Sequence, residues 1–272
     1  MSYIQVSFKV NNADVQAVLI AVLSNEGYEG FEEQEEALQA FVPAEHYDEA
    51  FIKQLSEQHN ISYTIEAIKD RNWNASWEEN FEPVVIDDFC SIIAHFHNIE
   101  ITTNHVIRIT PKMSFGTGHH ATTRLMIKAM RNIDFKGKQV FDFGSGTGVL
   151  AILADQLGAK HVLAIDNDEW AYLNAHDNIT TNNATHVVVK QAVLDDVQTE
   201  KFDVILANIN RHILLQYMDQ LGKMLETNGD LLMSGLLVED EGIIVEAANS
   251  TGLKLLQRAE DNNWITLLFR HA

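Results

Sequence analysis

The chain has 272 residues, 46% of them hydrophobic, and a formal net charge of −20. This length exceeds that of a typical single domain, so one large domain and one small domain are expected. A chain with this much negative charge repels the phosphate backbones of nucleic acids. No stretch of it approaches the roughly 18 uninterrupted apolar residues of a membrane span. We therefore expect a cytoplasmic protein with no direct nucleic-acid substrate and no membrane partner.

A single cysteine, Cys90, excludes an internal disulfide and a cysteine metal cluster within one chain. A buried structural thiol is its expected role. The first residues, Met1 to Ile4, run directly into a strand pattern, so no basic leader is expected.

The first quarter of the chain alternates strand and helix patterns in the order βαββαβ. The predicted strands and helices cover residues 3–10, 13–25, 28–32, 37–42, 44–58 and 61–68. This order predicts a small α+β, ferredoxin-like domain over residues 1–68. A fold of this kind does not by itself specify a function.

The same segment is strongly acidic. Residues 1–68 contain twelve Asp and Glu against only Lys9 and Lys53, a net charge of −10. One interpretation is that a basic partner docks there. The other is that Glu32, Glu33, Glu35 and Glu36 form a solvated hairpin that aids solubility. The sequence leaves both open.

Residues 69–80 lose this periodicity and contain Trp73 and Trp77 among polar residues, which predicts a linker in which the tryptophans pack. Residues 81–272 form the predicted large domain. Its first strands are expected at 81–86, 90–95 and 105–110.

From Lys138 onward, strand and helix patterns alternate, which favours a doubly wound, mostly parallel sheet. The last two strands are joined only by residues 260–263 and must be antiparallel. This arrangement resembles the seven-stranded, Rossmann-like α/β sheet of class I methyltransferases. The seven strands are predicted near residues 139–143, 161–166, 187–191, 203–207, 229–234, 253–258 and 264–270.

A glycine-rich turn connects the first of these strands to a helix. Gly144, Gly146 and Gly148 alternate after the acidic Asp142, as expected where backbone must approach a nucleotide-type ligand. The dinucleotide pattern G-x-G-x-x-G would need glycine at Val149. The spacing therefore resembles methyltransferase motif I.

Two polar residues follow neighbouring strands. Asp166, about twenty residues after the glycine turn, is expected to accept hydrogen bonds from both ribose hydroxyls. It could instead cap a helix, although Asp168 is available for that. Asn208 ends the fourth strand, where its amide oxygen and a backbone carbonyl of the same turn could bind an amine. The alternative is that Asn208 caps the next helix.

The segment from Ser114 to Thr123 resembles the F-G-T-G-x-H-x-T-T motif of the bacterial family that methylates ribosomal protein L11 of the large subunit. The resemblance also covers the glycine turn, Asp166, the Ala-Asn-Ile triplet ending at Ile209, and the tryptophan-containing linker. It implies S-adenosyl-L-methionine as cofactor and ribosomal protein L11 as partner and substrate. Asn208, from its place at the end of the fourth strand, is the candidate catalytic residue. The implied cofactor contacts are Thr123, Gly144, Asp166 and Asn208, with Phe115, Gly116, Thr117, Gly118 and His120 over the cofactor and Asp142 and Gly146 in the glycine motif.

The sequence departs from the family pattern at Ala121, at Ser145 and at the Asn210-Arg211 pair. None of these removes a side chain needed for chemistry, although Arg211 could alter substrate approach. The neighbouring His119 and His120 lack carboxylate or cysteine partners, so no metal site is expected.

The resemblance implies transfer of methyl groups to lysine side chains, to the N-terminal amine, or to both. Other hypotheses are a methyltransferase acting on another protein or a small-molecule amine, a nicotinamide-dependent oxidoreductase, and a non-catalytic binding protein. Val149 disfavours the oxidoreductase.

Overall fold

The computed structural model describes residues 3–34, 36–68, 81–112, 114–197 and 199–271. The chain divides into two compact units, Met1–Phe81 and Glu82–Ala272. The segment predicted as a linker, including Trp73 and Trp77, and the acidic Glu35 lie outside the described residues. Within the described ranges, no helix is long and apolar enough to cross a membrane.

The first unit is a four-stranded antiparallel sheet with two helices on one face. Val6 and Phe8 alternate into a core that also contains Leu19, Leu23 and Ile52 from the helices. The sheet order β2-β3-β1-β4 confirms the predicted ferredoxin-like fold. Its elements are β1 Tyr3–Lys9, α1 Ala13–Asn25, β2 Gly30–Glu33, β3 Ala37–Pro43, α2 Glu49–His59 and β4 Ser62–Ile68.

Helix α2 begins later than the predicted residue 44. Asp48 is its N-cap, and one carboxylate oxygen accepts hydrogen bonds from the backbone N–H groups of Ala50 and Phe51. These two donors have no partner inside the helix, so a side-chain acceptor sets where the helix starts. The sequence interpretation took Pro43 as the start signal and was wrong by about one turn.

The second unit contains a three-stranded sheet, β5-β6-β7, and a seven-stranded sheet of order β10-β9-β8-β11-β12-β14-β13. The predicted class I methyltransferase sheet is thereby confirmed. Its elements are β5 Val84–Ile86, β6 Cys90–Ala94, β7 His105–Ile109, α3 Ala121–Met130, β8 Gln139–Phe143, α4 Val149–Gln156, β9 His161–Asp166, α5 Glu169–Thr181, β10 Val187–Gln191, β11 Phe202–Asn208, α6 Arg211–Met224, β12 Leu225–Leu237, α7 Glu241–Ser250, β13 Leu253–Asp261 and β14 Trp264–His271.

Several strand boundaries differ from the prediction by a few residues. Strand β5 begins at Val84 rather than residue 81, and β12 runs to Leu237, beyond the predicted residue 234. The extension of β12 reflects its pairing with β14, which continues past the end of β11 and which the chain pattern could not reveal. Cys90 is buried in β6, as expected for a structural thiol.

The parallel strands β10, β9, β8, β11 and β12 bring their carboxyl ends to one edge of the large sheet. Strands β8, β9 and β11 are apolar almost throughout because helices cover both of their faces. Polar residues follow where these strands end. In such sheets ligands bind at this edge, so we expect the functional site there.

Two asparagines at the C-terminal end of helix α5, the buried Asn178 and the half-buried cap residue Asn182, hold the segment after β7. The Asn178 amide accepts a hydrogen bond from the backbone N–H of Thr110 at 2.8 Å and donates one to the carbonyl of Thr147 at 2.9 Å. One turn later, Asn182 makes a similar pair of bonds with the backbone of Arg108. Helix α5 therefore connects the end of β7 to the glycine turn.

Candidate cofactor site

The glycine turn packs directly against the backbone of the segment from Ser114 to His120. Gly146 has a φ of +54°, and a Cβ there would lie 2.3 Å from the carbonyl oxygen of Phe115, so no other residue fits. Thr147 binds the same segment, donating its N–H to the Phe115 carbonyl at 2.9 Å and its hydroxyl to the Gly116 carbonyl at 2.8 Å. The two loops thus form one rigid wall.

The Asp166 carboxylate lies beside this turn and lines the cavity described below. One oxygen accepts the N–H of Gly146 at 2.9 Å, and the other accepts the N–H of Asp168 at 3.1 Å. Asp168 is the N-cap of α5, so the alternative role for Asp166 as a helix cap is wrong. Because each carboxylate oxygen can accept more than one hydrogen bond, Asp166 can still bind two hydroxyls.

Asn208 is the last residue of β11, and only one of its two side-chain polar atoms has a hydrogen-bond partner among the described residues. Its Nδ2 donates to the Thr123 hydroxyl at 3.4 Å, whereas its buried Oδ1 has no hydrogen-bond partner among the described residues. The N-cap of α6 is Asn210, whose oxygen accepts the N–H of Ile213, so the capping alternative for Asn208 is wrong. A buried acceptor without a partner is rare and suggests a missing donor.

These residues surround a cavity of about 770 Å³ at the carboxyl edge of the large sheet. This volume suits a ligand of cofactor size. Of the predicted site residues, the cavity brings together Phe115, His120, Gly144, Gly146, Asp166 and Asn208. A small adjoining cavity is bordered by Gly116 and Thr123 together with Phe115, Gly144 and Asn208.

Three predicted site residues do not line either cavity. Gly118 lies against Ile92 and Val84, and the Thr117 hydroxyl lies 3.1 Å from the His119 ring nitrogen. Asp142 is buried beneath the glycine turn. Their participation in cofactor binding stays a prediction.

Several lining residues were missed from the sequence. Ala192, Val193 and Leu194 follow the end of β10, where the rule about carboxyl ends of parallel strands would have found them. Tyr217 and Trp264 also line the cavity, but helix α6 and the β13–β14 hairpin carry no pattern that predicts this position. Only the folded sheet brings them to the site.

The β13–β14 hairpin closes one side of the cavity. The Trp264 ring meets the His120 ring edge-on, with centroids 4.7 Å apart. Nearby, the Arg124 guanidinium pairs with Asp261 at 3.1 Å and also donates to the carbonyl of His119. The β13–β14 hairpin therefore packs against the segment that precedes the glycine turn and stabilises its position.

The Asp142 carboxyl is an unusual buried acid. Burial raises its pKa to about 7, the nearby Asp166 carboxylate adds to the rise, and a weak interaction with the backbone N–H of Ala151 opposes it. Neither Asp142 oxygen accepts a well-formed hydrogen bond from a described residue. Since the charged form is disfavoured by desolvation, this acid gains or loses its proton near neutral pH.

The cavity matches the parts of S-adenosyl-L-methionine. We predict that Asp166 accepts the ribose hydroxyls and that the apolar wall of Ala192 to Leu194 faces the base. The turn at Gly144 leads to the amide oxygen of Asn208, which has no partner among the described residues. Together with the order of the seven-stranded sheet, this site defines a class I S-adenosyl-L-methionine-dependent methyltransferase.

The chain belongs to the ribosomal protein L11 methyltransferase (PrmA) family, whose model matches residues 5–272. It is 38% identical to the ribosomal protein L11 methyltransferase of Phocaeicola vulgatus, covering 99% of both chains. The corresponding protein of Porphyromonas gingivalis is 40% identical, covering 93% of this chain and 89% of its own. The crystal structure of the ribosomal protein L11 methylase from Lactobacillus delbrueckii subsp. bulgaricus superimposes with a TM-score of 0.65 at 28% identity, over 71% of this chain and 99% of that one.

Asp166→Ala should weaken S-adenosyl-L-methionine binding at least about tenfold. Two charge-assisted hydrogen bonds to ribose are lost, each contributing roughly 1.5–3 kcal/mol. Isothermal titration calorimetry measures the change. Asp177→Ala is the matched control, because this carboxylate lies on α5 and pairs with the exposed Lys112 outside the cavity. Equal affinity in wild type and Asp166→Ala would contradict the ribose role.

Asp142→Asn should remove a pH dependence of folding stability. The folded-state pKa of about 7 exceeds the ordinary value of 3.8, so the folded protein retains a proton that the unfolded chain releases. The free energy of unfolding of the wild type therefore falls by up to roughly 4 kcal/mol as pH rises from about 4 to about 7. Above that pH it changes little. Urea unfolding at pH 5 and pH 8 measures the free energy of unfolding of cofactor-free wild type and of cofactor-free Asp142→Asn. A wild type that loses no more stability than the variant would count against this pKa.

Proposed function

We propose that the chain transfers methyl groups from S-adenosyl-L-methionine to amino groups of ribosomal protein L11, on lysine side chains, the N-terminal amine, or both. The observation that carries this proposal is a pair of acceptors at the cavity. The Oδ1 of Asn208 has no partner among the described residues, and no hydrogen bond to the neighbouring Ile209 carbonyl occurs among them either. Both residues line the cavity. Two adjacent acceptors match an amine, which carries N–H donors.

The acceptors orient the nucleophile. S-adenosyl-L-methionine supplies, when bound, an electrophilic methyl group on a sulfonium. Hydrogen bonds from the amine to Asn208 and to the Ile209 carbonyl would hold two N–H groups and turn the nitrogen lone pair toward that methyl group. Such orientation contributes much of the acceleration in a transfer between two bound molecules.

The amine must be neutral to react. A lysine ammonium has a reference pKa of about 10.4, and burial of its charge lowers that value. The walls formed by Phe143, Ile213, Tyr217 and Trp264 make this part of the cavity largely apolar. Desolvation by these walls therefore favours release of the proton. An N-terminal amine, with a reference pKa near 7.7–8.0, needs a smaller lowering of its pKa to be neutral.

The direct test is incubation of the protein with isotope-labelled S-adenosyl-L-methionine and purified ribosomal protein L11, followed by mass spectrometry of the product. We expect added methyl groups on amine nitrogens. Other basic proteins and small amines are tested in parallel, since a methyltransferase with a different substrate would keep the same cofactor site. Methylation of one of these, with none of ribosomal protein L11, would favour the alternative substrate.

Asn208→Ala should reduce turnover by about 100-fold while cofactor affinity changes little, because the lost acceptor orients the amine rather than the cofactor. Single-turnover rates and calorimetry measure the two quantities separately. Asn132→Ala, which removes an exposed amide from the loop after α3, is the control. Equal losses in turnover and affinity would reassign Asn208 to cofactor binding.

We further propose that residues 1–68 form the substrate-recognition domain, that 69–80 form a linker, and that 81–272 form the catalytic domain. All residues that line the large cavity belong to the second unit. Residues 1–68 carry a net charge of −10, which suits a basic protein. The sheet face opposite the helices in this segment includes Glu32 and Glu66, in register with Gln39 and Gln5 respectively.

Deletion of residues 1–68 should nearly abolish methylation of ribosomal protein L11 and leave cofactor affinity close to that of the full chain. The second unit has its own core, and circular dichroism checks that the truncated protein folds. In the intact enzyme, substrate affinity should also fall with salt, because exposed charges are screened beyond about 8–10 Å near physiological ionic strength. Full efficiency in a folded truncation would refute the recognition role, and salt-independent affinity would refute only the electrostatic part.

A further inference from the structure

Strand β12 contains a bulge next to the end of β11. Its pairing with β14 shifts register between Met233 and Leu236, so Ser234 and Gly235 fall within the irregular stretch. Gly235 has a φ of +82°, in the left-handed region. Ser234 is fully buried, and its hydroxyl donates to the carbonyl of Ile265 at 2.8 Å. The bulge is therefore held in place by a specific bond to β14.

The bulge brings Gly235 against the backbone of Ile209. A Cβ on Gly235 would lie 2.3 Å from the Ile209 carbonyl oxygen, 2.7 Å from its carbonyl carbon and 3.1 Å from its nitrogen. All three are main-chain atoms, so no rotamer change can relieve the contact. On its other side, the Ile209 side chain lies where a Cβ on Gly144 would come within 2.4 Å. Ile209 is thus held between two glycines.

We propose that Gly235 is a positioning residue for methyl transfer: the Ser234-Gly235 bulge sets the position of the Ile209 carbonyl that accepts the amine. This inference rests on the proposed function, in which that carbonyl and Asn208 bind the substrate nitrogen. Bulges occur preferentially beside active sites, where they redirect backbone groups. Here both Gly235 and Ile209 line the cavity.

A side chain at Gly235 would force the Ile209 peptide or β12 to move by a large part of an ångström. Misplacement of a reacting group by about 1 Å can reduce a rate by roughly 100-fold. The ribose acceptor Asp166 lies at the end of β9, which is separated from β12 by β8 and β11 in the sheet. Cofactor affinity is therefore expected to change far less than turnover.

The test compares Gly235→Ala with Gly137→Ala in the full chain. Gly137 also has a positive φ, of +72°, but a Cβ there meets no atom within 4 Å, so this control isolates backbone strain from the contact with Ile209. The measurements are kcat, KM for the protein substrate, calorimetric Kd for S-adenosyl-L-methionine, and Tm. For Gly235→Ala we expect kcat to fall about 100-fold and the cofactor Kd to stay within about threefold of wild type. Gly137→Ala should leave both kcat and the cofactor Kd close to the wild-type values.

A parallel loss of cofactor affinity in Gly235→Ala, or an equal loss of kcat in Gly137→Ala, would overturn the inference. If Gly235→Ala does not fold, Ser234→Ala replaces it, because that change adds no atoms and removes only the bond to Ile265. Its kcat should fall by about three- to tenfold at unchanged cofactor Kd, and an unchanged kcat would overturn the inference. Kinetics are measured on the amine substrate that wild type methylates, so failure of ribosomal protein L11 as substrate counts against the proposed function alone.

Discussion

Close packing around the glycine turn is the constraint on which the site depends. Gly146 lies against the Phe115 carbonyl, and Gly144 lies against the Ile209 side chain. Side chains at these positions would separate the glycine turn from the two segments that flank it. Thr147 then adds two hydrogen bonds to the Phe115–Gly116 backbone. The wall between the glycine turn and the Phe115–Gly116 segment is consequently made of backbone packed at contact distance, whereas at Gly144 the turn packs against a side chain.

In the proposed function, this construction separates the residues that bind the cofactor from those that bind the amine. Asp166, whose carboxylate accepts the N–H of Gly146, is the proposed cofactor contact, whereas the proposed amine contacts are Asn208, the last residue of β11, and Ile209, which follows it. Helix caps are supplied by Asp168 and Asn210, so neither Asp166 nor Asn208 is needed to start a helix. Each of these two proposed site residues thus keeps acceptor capacity for a ligand, because the residue two positions later caps the helix.

The site and the strand beneath the glycine turn also contain polar groups whose burial opposes folding. Asp142 is fully buried with a raised pKa, and the amide oxygen of Asn208 has no partner among the described residues. Such groups cost free energy unless a ligand or another donor satisfies them. The apolar core around Phe141, Ile205 and Phe269 offsets this cost in the same unit. A stable sheet therefore maintains a site that is itself unfavourable.

The sequence determined local features: both folds, the glycine turn, and the placement of Asp166 and Asn208 at strand ends. These follow from periodicity, from glycine spacing and from the rule that parallel strands end at one edge. Only the tertiary structure decided that β14 inserts between β12 and β13, that Trp264 reaches His120, and that Gly235 contacts Ile209. Each of these joins residues far apart in the chain, and their pairing depends on how strands align across the sheet. The order of residues along one strand does not contain that information.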